Sequence, residues 1–532
     1  MNPSIKQKKE QQYFFDEIEK GRKDMQGLIA RGYDSLNASL YLFLEITNPV
    51  QAKKYFSELI EKYITRADKT NDKSFPEKGD PANAVHIAFT SSGLKETGLS
   101  QDILDTFSRE FIEGMSYTYP DKHNKNIIEE RSTLLGDTND NRSSRWHWGN
   151  TETKPVHCVL MLYAKDSNAL TVLERNVFIN INEGVRVVHT GNTFEYNPND
   201  EDKEHFGFRD GLSQPNMKGF SQSKGKADNQ LINPGEFILG YKNEYEHYSP
   251  SPYVESDAKS VSLPDMPPDM PRNKNKKDLG KNGTYLVFRQ IEQHVERFWK
   301  FLYLHSKESP VTQTEKAIKF GAKMVGRWPE GQPLTICPEG AFTMDDDSLN
   351  EFAYADLDKD GIRCPLGAHI RRTNPRDQVH TGRDQEASIE MTSRHRMLRR
   401  GRIYGDPVDK KMNIENIINQ VKDKELESNN NVEKTPVVRG LHFICLVSDI
   451  GRQFEFIQNV WANTSTFGDL CNEVDPMISP RPTKYQPQCH EFTTPQETVR
   501  NRYKEVPEFT TVVGGAYFFM PGITALKYIM KE

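Results

Sequence analysis

The segment ASLYLFLEI, residues 38–46, crowds apolar and aromatic side chains together without a helical period. Such a run reads as a buried strand, because side chains that repeat every two residues suit a sheet covered on both faces. AVHIAF at 84–89, VHCVLMLY at 156–163 and the shorter stretch from Val185 to His189 have the same texture, and polar stretches with helical spacing separate them. A strand, helix, strand, strand order with antiparallel neighbours points to an α+β domain rather than a doubly wound sheet. DMQGLIARGY, residues 24–33, is its turn-like lead-in.

The texture returns further along the chain. YLVF at 285–288 leads into IEQHVERFWKFLYLH, where Ile291, Val295, Phe298 and Leu302 fall at helical spacings. GLHFICLV at 440–447 leads into a similar segment, Phe454 to Trp461, and AYFFM at 516–520 is expected to close the chain with a final strand. Two α+β domains are therefore expected, 1–235 and 284–532, on either side of a Pro-rich charged insertion at 236–283. Ser249 to Gly283, with PDMP repeated directly, offers little to bury and reads as a mobile surface segment. A single core rarely serves 532 residues, so enlarged domains are needed in any case.

The charge balance, 70 Lys+Arg against 76 Asp+Glu, gives a net −6 and leaves no electrostatic footprint for nucleic acid or an anionic membrane. No apolar run is long enough to span a bilayer, and no apolar segment follows the basic start, so a cytoplasmic protein is expected. The six cysteines, at 158, 337, 364, 445, 471 and 489, lack zinc or disulfide spacing and read as structural thiols.

Three segments carry chemistry. In CPLGAHIRRTNPR, residues 364–376, His369 stands beside Arg371, Arg372 and Arg376 in a turn broken by prolines. A positive cluster next to an imidazole suits an anionic cofactor beside a ligand. In GFRDG, residues 207–211, two glycines let the backbone turn tightly and fix Asp210. RHRMLRRGRIYG, residues 394–405, concentrates arginine, which by itself reads as a solvated face. The run DLDKDG from Asp356 imitates the start of a calcium loop, but Gly367 stands where the twelfth-position Glu is required.

Taken together and in this order, the three segments resemble the dye-decolourising peroxidase family. DMQGLIARGY, MVGRWPEGQPL (324–334), FEFIQNVWAN (454–463) and GGAYFFMPGI (514–523) extend the resemblance over most of the chain. It implies two ferredoxin-like domains, each a mainly antiparallel sheet with peripheral helices and long insertions, and haem b bound in the C-terminal half. It further implies His369 as the proximal iron ligand, Arg376 and Arg371 towards the haem propionates, and Asp449 as the carboxylate partner of His369. Asp210 and Arg399 would stand on the distal face, and Tyr404 matches a tyrosine that relays electrons to the surface in some members. Gly401 stands where some members carry an asparagine. The implied reaction reduces hydrogen peroxide and oxidises dyes or other organic reductants. An ionised Asp can move the proton between the peroxide oxygens while an Arg stabilises the departing one. Because an ordinary Asp titrates well below a His, acid-tolerant turnover is expected. The rival reading is a haem-binding or porphyrin-handling protein with incidental peroxidase activity.

Overall fold

The computed structural model describes residues 5–68, 81–120, 128–178, 184–195, 203–220, 231–267, 269–270, 275–306, 310–345, 348–379, 384–427, 437–480, 490–496 and 498–531. Nine strands form one sheet: β1 (Ala38–Ile46), β2 (Asn83–Phe89), β3 (Cys158–Ala164), β4 (Val185–Asn192), β5 (Thr284–Gln293), β6 (Leu398–Arg399), β7 (Arg402–Tyr404), β8 (Gly440–Val447) and β9 (Thr510–Met520). Every pairing in it is antiparallel.

The spatial order is β2, β3, β1, β4 in the first half and β6/β7, β8, β5, β9 in the second. Each half therefore follows the ferredoxin-like order, second, third, first, fourth, once β6 and β7 are taken as two pieces of one edge. The halves join through Phe519 of β9 opposite Phe89 of β2. At the other side, the amide of Phe194 donates to the Ile403 carbonyl at 2.9 Å and draws the outer edges together.

Side-chain alternation sorts the core. Tyr41 and Phe43 of β1 pack inside with Met161, Tyr163, Phe288 and Phe518, whereas Leu40, Leu42 and Leu44 face outward into a second cluster under the helices. Both faces are covered, which is why β1 shows no polar alternation in sequence. The outer clusters are capped by helices such as Pro49–Lys62, whose buried Ala52, Tyr55, Phe56 and Leu59 supply one apolar stripe.

Four expectations are corrected by the structure. β5 continues to Gln293, and the helix begins only at Val295 and ends at Leu304. Ile291 pairs with Leu441 and Val512, so ladder bonds on both sides outweigh its helical spacing to Val295. The chain's described part ends on a helix, Ile523–Met530, rather than on β9. Phe454 to Trp461 lies in a wide π-helix, Gly451–Glu455 and Ile457–Ala462 joined by Phe456.

The segment 249–283 is not a loose insertion. Tyr253–Glu255 pairs with Lys276–Asp278, and Val254, Leu263 and Leu279 are buried in the outer core cluster. Its polar groups satisfy one another: Ser251 Oγ donates to Asp278 Oδ1 at 2.5 Å, and Ser249 Oγ meets Ser448 Oγ at 2.8 Å. Three well-spaced apolar residues suffice to dock a strand pair whose own composition is polar. Pro268 and residues 271–274 of this segment lie outside the described residues, as does Cys489. No described helix is long and apolar enough to cross a membrane.

Candidate active site

A cavity of about 290 Å³ lies against the outward face of β5 and β8. Leu441, Phe443, Phe454, Ile457, Trp461 and Met397 make its apolar wall. The π-helix contributes three of these side chains, Phe454, Ile457 and Trp461, at the wide spacing that such turns allow.

His369 opens the short helix His369–Thr373 and faces the cavity, which leaves 28% of its side chain accessible although it sits deep in the protein. Its Nδ1 meets Asp475 Oδ2 at 2.9 Å. Asp475 is fully buried, and its other oxygen accepts the amides of Met477 at 2.8 Å and Ile478 at 3.1 Å. Burial opposes a charged ring, yet the charge and hydrogen bond of Asp475 outweigh it and raise the His369 pKa. The same pair works in reverse on Asp475, where burial is overcome by His369 and then by Arg372, holding the carboxyl below its usual range. With Nδ1 committed to a carboxylate, Nε2 is the free lone pair for a metal, and the ring is fixed in the tautomer a ligand needs. Asp475→Asn should lower the affinity of that nitrogen for a metal centre about 10–100-fold, as read by spectrophotometric titration of the ligand-free protein.

Asp475, not Asp449, is thus the partner of His369. Asp449 lies at the start of the π-helix, where its Oδ1 accepts the amide of Arg452 at 2.9 Å. The expectation for Arg371 is also corrected. It is buried away from the cavity and donates to Asp358 Oδ2 at 3.0 Å, the Cys364 carbonyl at 2.7 Å and Gln378 Oε1 at 2.7 Å. Asp358 also accepts the amides of Arg363 and Cys364, so the acidic run that imitates a calcium loop serves as an arginine counter-ion and a turn clamp.

Arg376 does line the cavity, with its guanidinium 3.8 Å from the Phe352 ring centre and donating to Asn350 and Phe352. Beside it lies Arg327, 4% exposed, which donates to the carbonyls of Gly331 and Leu349 at 2.7 Å and to Ser213 Oγ at 3.0 Å. Among the described residues no carboxylate lies within ion-pair distance of either guanidinium. Burial and then the charge of Arg376 push Arg327 down to about 9, and burial with Arg376 and Arg399 does the same to Arg396. Buried like charges of this kind call for an anion. An imidazole with a fixed free nitrogen, an apolar wall and an anion-seeking arginine pair together fit a carboxylate-bearing metalloporphyrin.

Arg399 of β6 and Asp210 both line the cavity, and their charges act on His369 in opposite senses. Asp210 projects from GFRDG, where Gly207 and Gly211 have φ of 92° and 77°. At Gly207 a Cβ would also sit 2.6 Å from Ile414 Cγ1, so the turn demands glycine twice over. Just before this turn, Glu204 accepts from the amides of Phe206 at 2.9 Å and Phe208 at 3.0 Å and from Gln293 Nε2 at 2.6 Å, tying the loop to β5. It is partly accessible only because it faces the cavity. Burial raises its carboxyl from 4.5 to about 7 against these three hydrogen bonds, and Asp210 adds to the rise. The folded state thus holds a proton that the unfolded chain releases. This contribution to stability is present below about 4.5 and is lost as pH rises through about 7. Glu204→Gln should flatten the decline of Tm across that window, as read by calorimetry at matched ionic strength.

Gly401 lines the cavity. Tyr404 does not: it is a core residue, 7% exposed, stacked on His442 with ring centres 4.5 Å apart. Asp475, Arg327, Arg396 and Glu204 were missed in sequence. Arg327 and Arg396 carried a usable signal, within MVGRWPEGQPL and RHRMLRRGRIYG.

Two ferredoxin-like halves, with an imidazole and its buried carboxylate below a cavity and an arginine and a carboxylate on its wall, define a dimeric α+β barrel protein whose cavity fits a porphyrin. A family model, the DyP dimeric alpha+beta barrel domain, matches residues 24–193. The dye-decolorizing peroxidase msp1 of Mycetinis scorodonius is 27% identical over 520 residues, covering 96% of this chain and 87% of that protein. The dye-decolorizing peroxidase of Mycena epipterygia is 27% identical over 480 residues, covering 84% and 76%. Among solved structures, an ancestral D-type dye decolorizing peroxidase matches with a TM-score of 0.73 at 25% identity, covering 96% of this chain and 99% of that one. Over nearly its whole length the chain is thus similar to dye-decolourising peroxidases, which are haem enzymes.

Proposed function

We propose that this chain is a peroxidase that reduces hydrogen peroxide with electrons from dyes or other organic reductants, using haem b held by His369. The observation that carries this reading is the presence of both Asp210 and Arg399 on the wall of the cavity that His369 faces, with Asp475 behind the imidazole. Bound haem supplies the iron and porphyrin that store the oxidising equivalents of peroxide cleavage. Arg327 and Arg376 would receive its propionates, and Asp475 holds His369 in one tautomer and raises its basicity. Asp210 accepts a proton from one peroxide oxygen and delivers it to the other. Arg399 stabilises the negative charge that grows on the departing oxygen. The apolar wall of Leu441, Phe443, Phe454 and Ile457 lowers the polarity of the inner cavity, which strengthens the effect of Arg399.

The reading includes a cytoplasmic setting, where the free thiols of Cys158, Cys337, Cys364, Cys445 and Cys471 are stable. The test compares peroxide-dependent oxidation of a dye with transfer of haem to an apo-acceptor, using one haem-loaded sample. Sustained dye turnover with slow haem release is expected. Rapid haem transfer with no turnover would replace this reading with a haem-handling role.

A further inference from the structure

The dipeptide Ser213-Gln214, just beyond the GFRDG turn, touches three arginines of the site at once. Ser213 Oγ accepts from Arg327 Nη2 at 3.0 Å, and its carbonyl accepts from Arg396 Nη2 at 3.4 Å. The side chain of Gln214 closes a reciprocal pair with the backbone of Arg399: Oε1 accepts the Arg399 amide, and Nε2 donates to the Arg399 carbonyl, both at 3.1 Å. Leu212 completes the seat. At Gly331, with φ of 101°, a Cβ would lie 2.5 Å from Leu212 Cδ1, and the carbonyl of that same glycine holds Arg327 Nη1.

We propose that Ser213 and Gln214 are positioning residues that couple the anionic edge of the cofactor to the distal pair, so that the carboxylates of bound haem set Asp210 and Arg399 in place. The inference rests on the haem reading above and deepens it. Arg327, Arg376, Arg396 and Arg399 lie close enough that their charges oppose one another. Without an anion this repulsion weakens the hold of Arg327 and Arg396 on Ser213. An anion between them cancels the repulsion, seats Arg327 and Arg396 and thereby fixes Ser213. Asp210 is three residues upstream of that anchor and is exposed, with its one local hydrogen bond from the adjacent Gly211 amide. Its position is therefore set by its neighbours in the loop: Glu204 and the Arg209 amide, which donates to the Pro329 carbonyl at 2.9 Å, on one side, and Ser213-Gln214 on the other. Gln214 carries the same restraint across to Arg399, so both distal groups respond to one event.

The experiment is hydrogen exchange of residues 207–215 and 397–400 in the apoprotein, in protein reconstituted with haem, and in protein reconstituted with haem dimethyl ester, which lacks anionic carboxylates. Haem should slow exchange in both segments about 10-fold or more, while the ester leaves them close to the apo rate despite an imidazole-ligated Soret band. Ser213→Ala should bind haem with the same Soret band yet lose the protection of 207–215. Its kcat/KM for peroxide should fall about 10-fold at unchanged KM for the dye, and Ser213→Thr should restore both. Gln214→Ala should lose protection at 397–400. Equal protection by haem and its dimethyl ester, or full protection in Ser213→Ala, would overturn the coupling alone. Failure of the wild-type chain to bind haem through an imidazole would overturn the functional reading and the coupling with it.

Discussion

His369→Ala should lose more than about 100-fold in haem affinity, because removal of a metal ligand exceeds the 10–100-fold cost of disturbing the groups behind it. The imidazole-ligated Soret band should vanish with it. Two histidines line the cavity among the described residues, His369 and His395, so the assignment is open to a direct contest. His395 Nδ1 is engaged by the carbonyl of Arg452 at 2.5 Å, and its ring lies flat on Phe456, with centres 4.0 Å apart and planes within 5°. Burial holds it down to about 4, which keeps it neutral, but no carboxylate stands behind it. A carbonyl orients an imidazole less strongly than a carboxylate does and adds less to its basicity. His395→Ala should therefore keep the ligated spectrum. If instead His369→Ala retains the band and His395→Ala abolishes it, the ligand is His395, and Asp475 has a structural role only.

Much of the fold was legible because strands buried on both faces announce themselves locally. β1 and β8 begin and end at the residues their apolar runs mark, since nothing but the sheet could bury ASLYLFLEI or GLHFICLV. Readings failed where the deciding partner was distant. The helical spacing from Ile291 to Val295 is real, but β5 is flanked by β8 and β9, and two ladders outweigh a local period. In 249–283 three apolar residues dock a polar strand pair, a contribution too sparse to register in composition.

The site divides the same way. His369, Arg376, Asp210 and Arg399 all line the cavity, since each sits in a compact motif whose backbone chemistry is local. Asp475 is 106 residues from His369, in a stretch, NEVDPM, that looks like an ordinary Asp-Pro turn, and no spacing rule could pair them. Arg371 misled for a related reason. An arginine run does not say which guanidinium finds a carboxylate in the fold, and Asp358 takes Arg371 out of the cavity while Arg376 stays in it.

Arg399→Leu should slow reaction with hydrogen peroxide at least as much as Asp210→Asn, and both should be severe. Loss of a positioned proton acceptor typically costs about 10²–10⁴-fold, and loss of one electrostatic donor about 10²–10³-fold, so the direct effects overlap. Their settings separate them. Asp210 is exposed at the cavity rim, where an ordered water can take over part of its proton transfer when the carboxylate becomes an amide. Arg399 has no such substitute, because a water carries no fixed positive charge. The Leu variant keeps the backbone amide and carbonyl that Gln214 grips, so its defect reports the guanidinium and not a displaced strand. Stopped-flow mixing of each haem-loaded variant with peroxide, at equal haem occupancy, gives the two rates. A fast Arg399→Leu beside an inert Asp210→Asn would reverse the order and assign the step to the carboxylate alone.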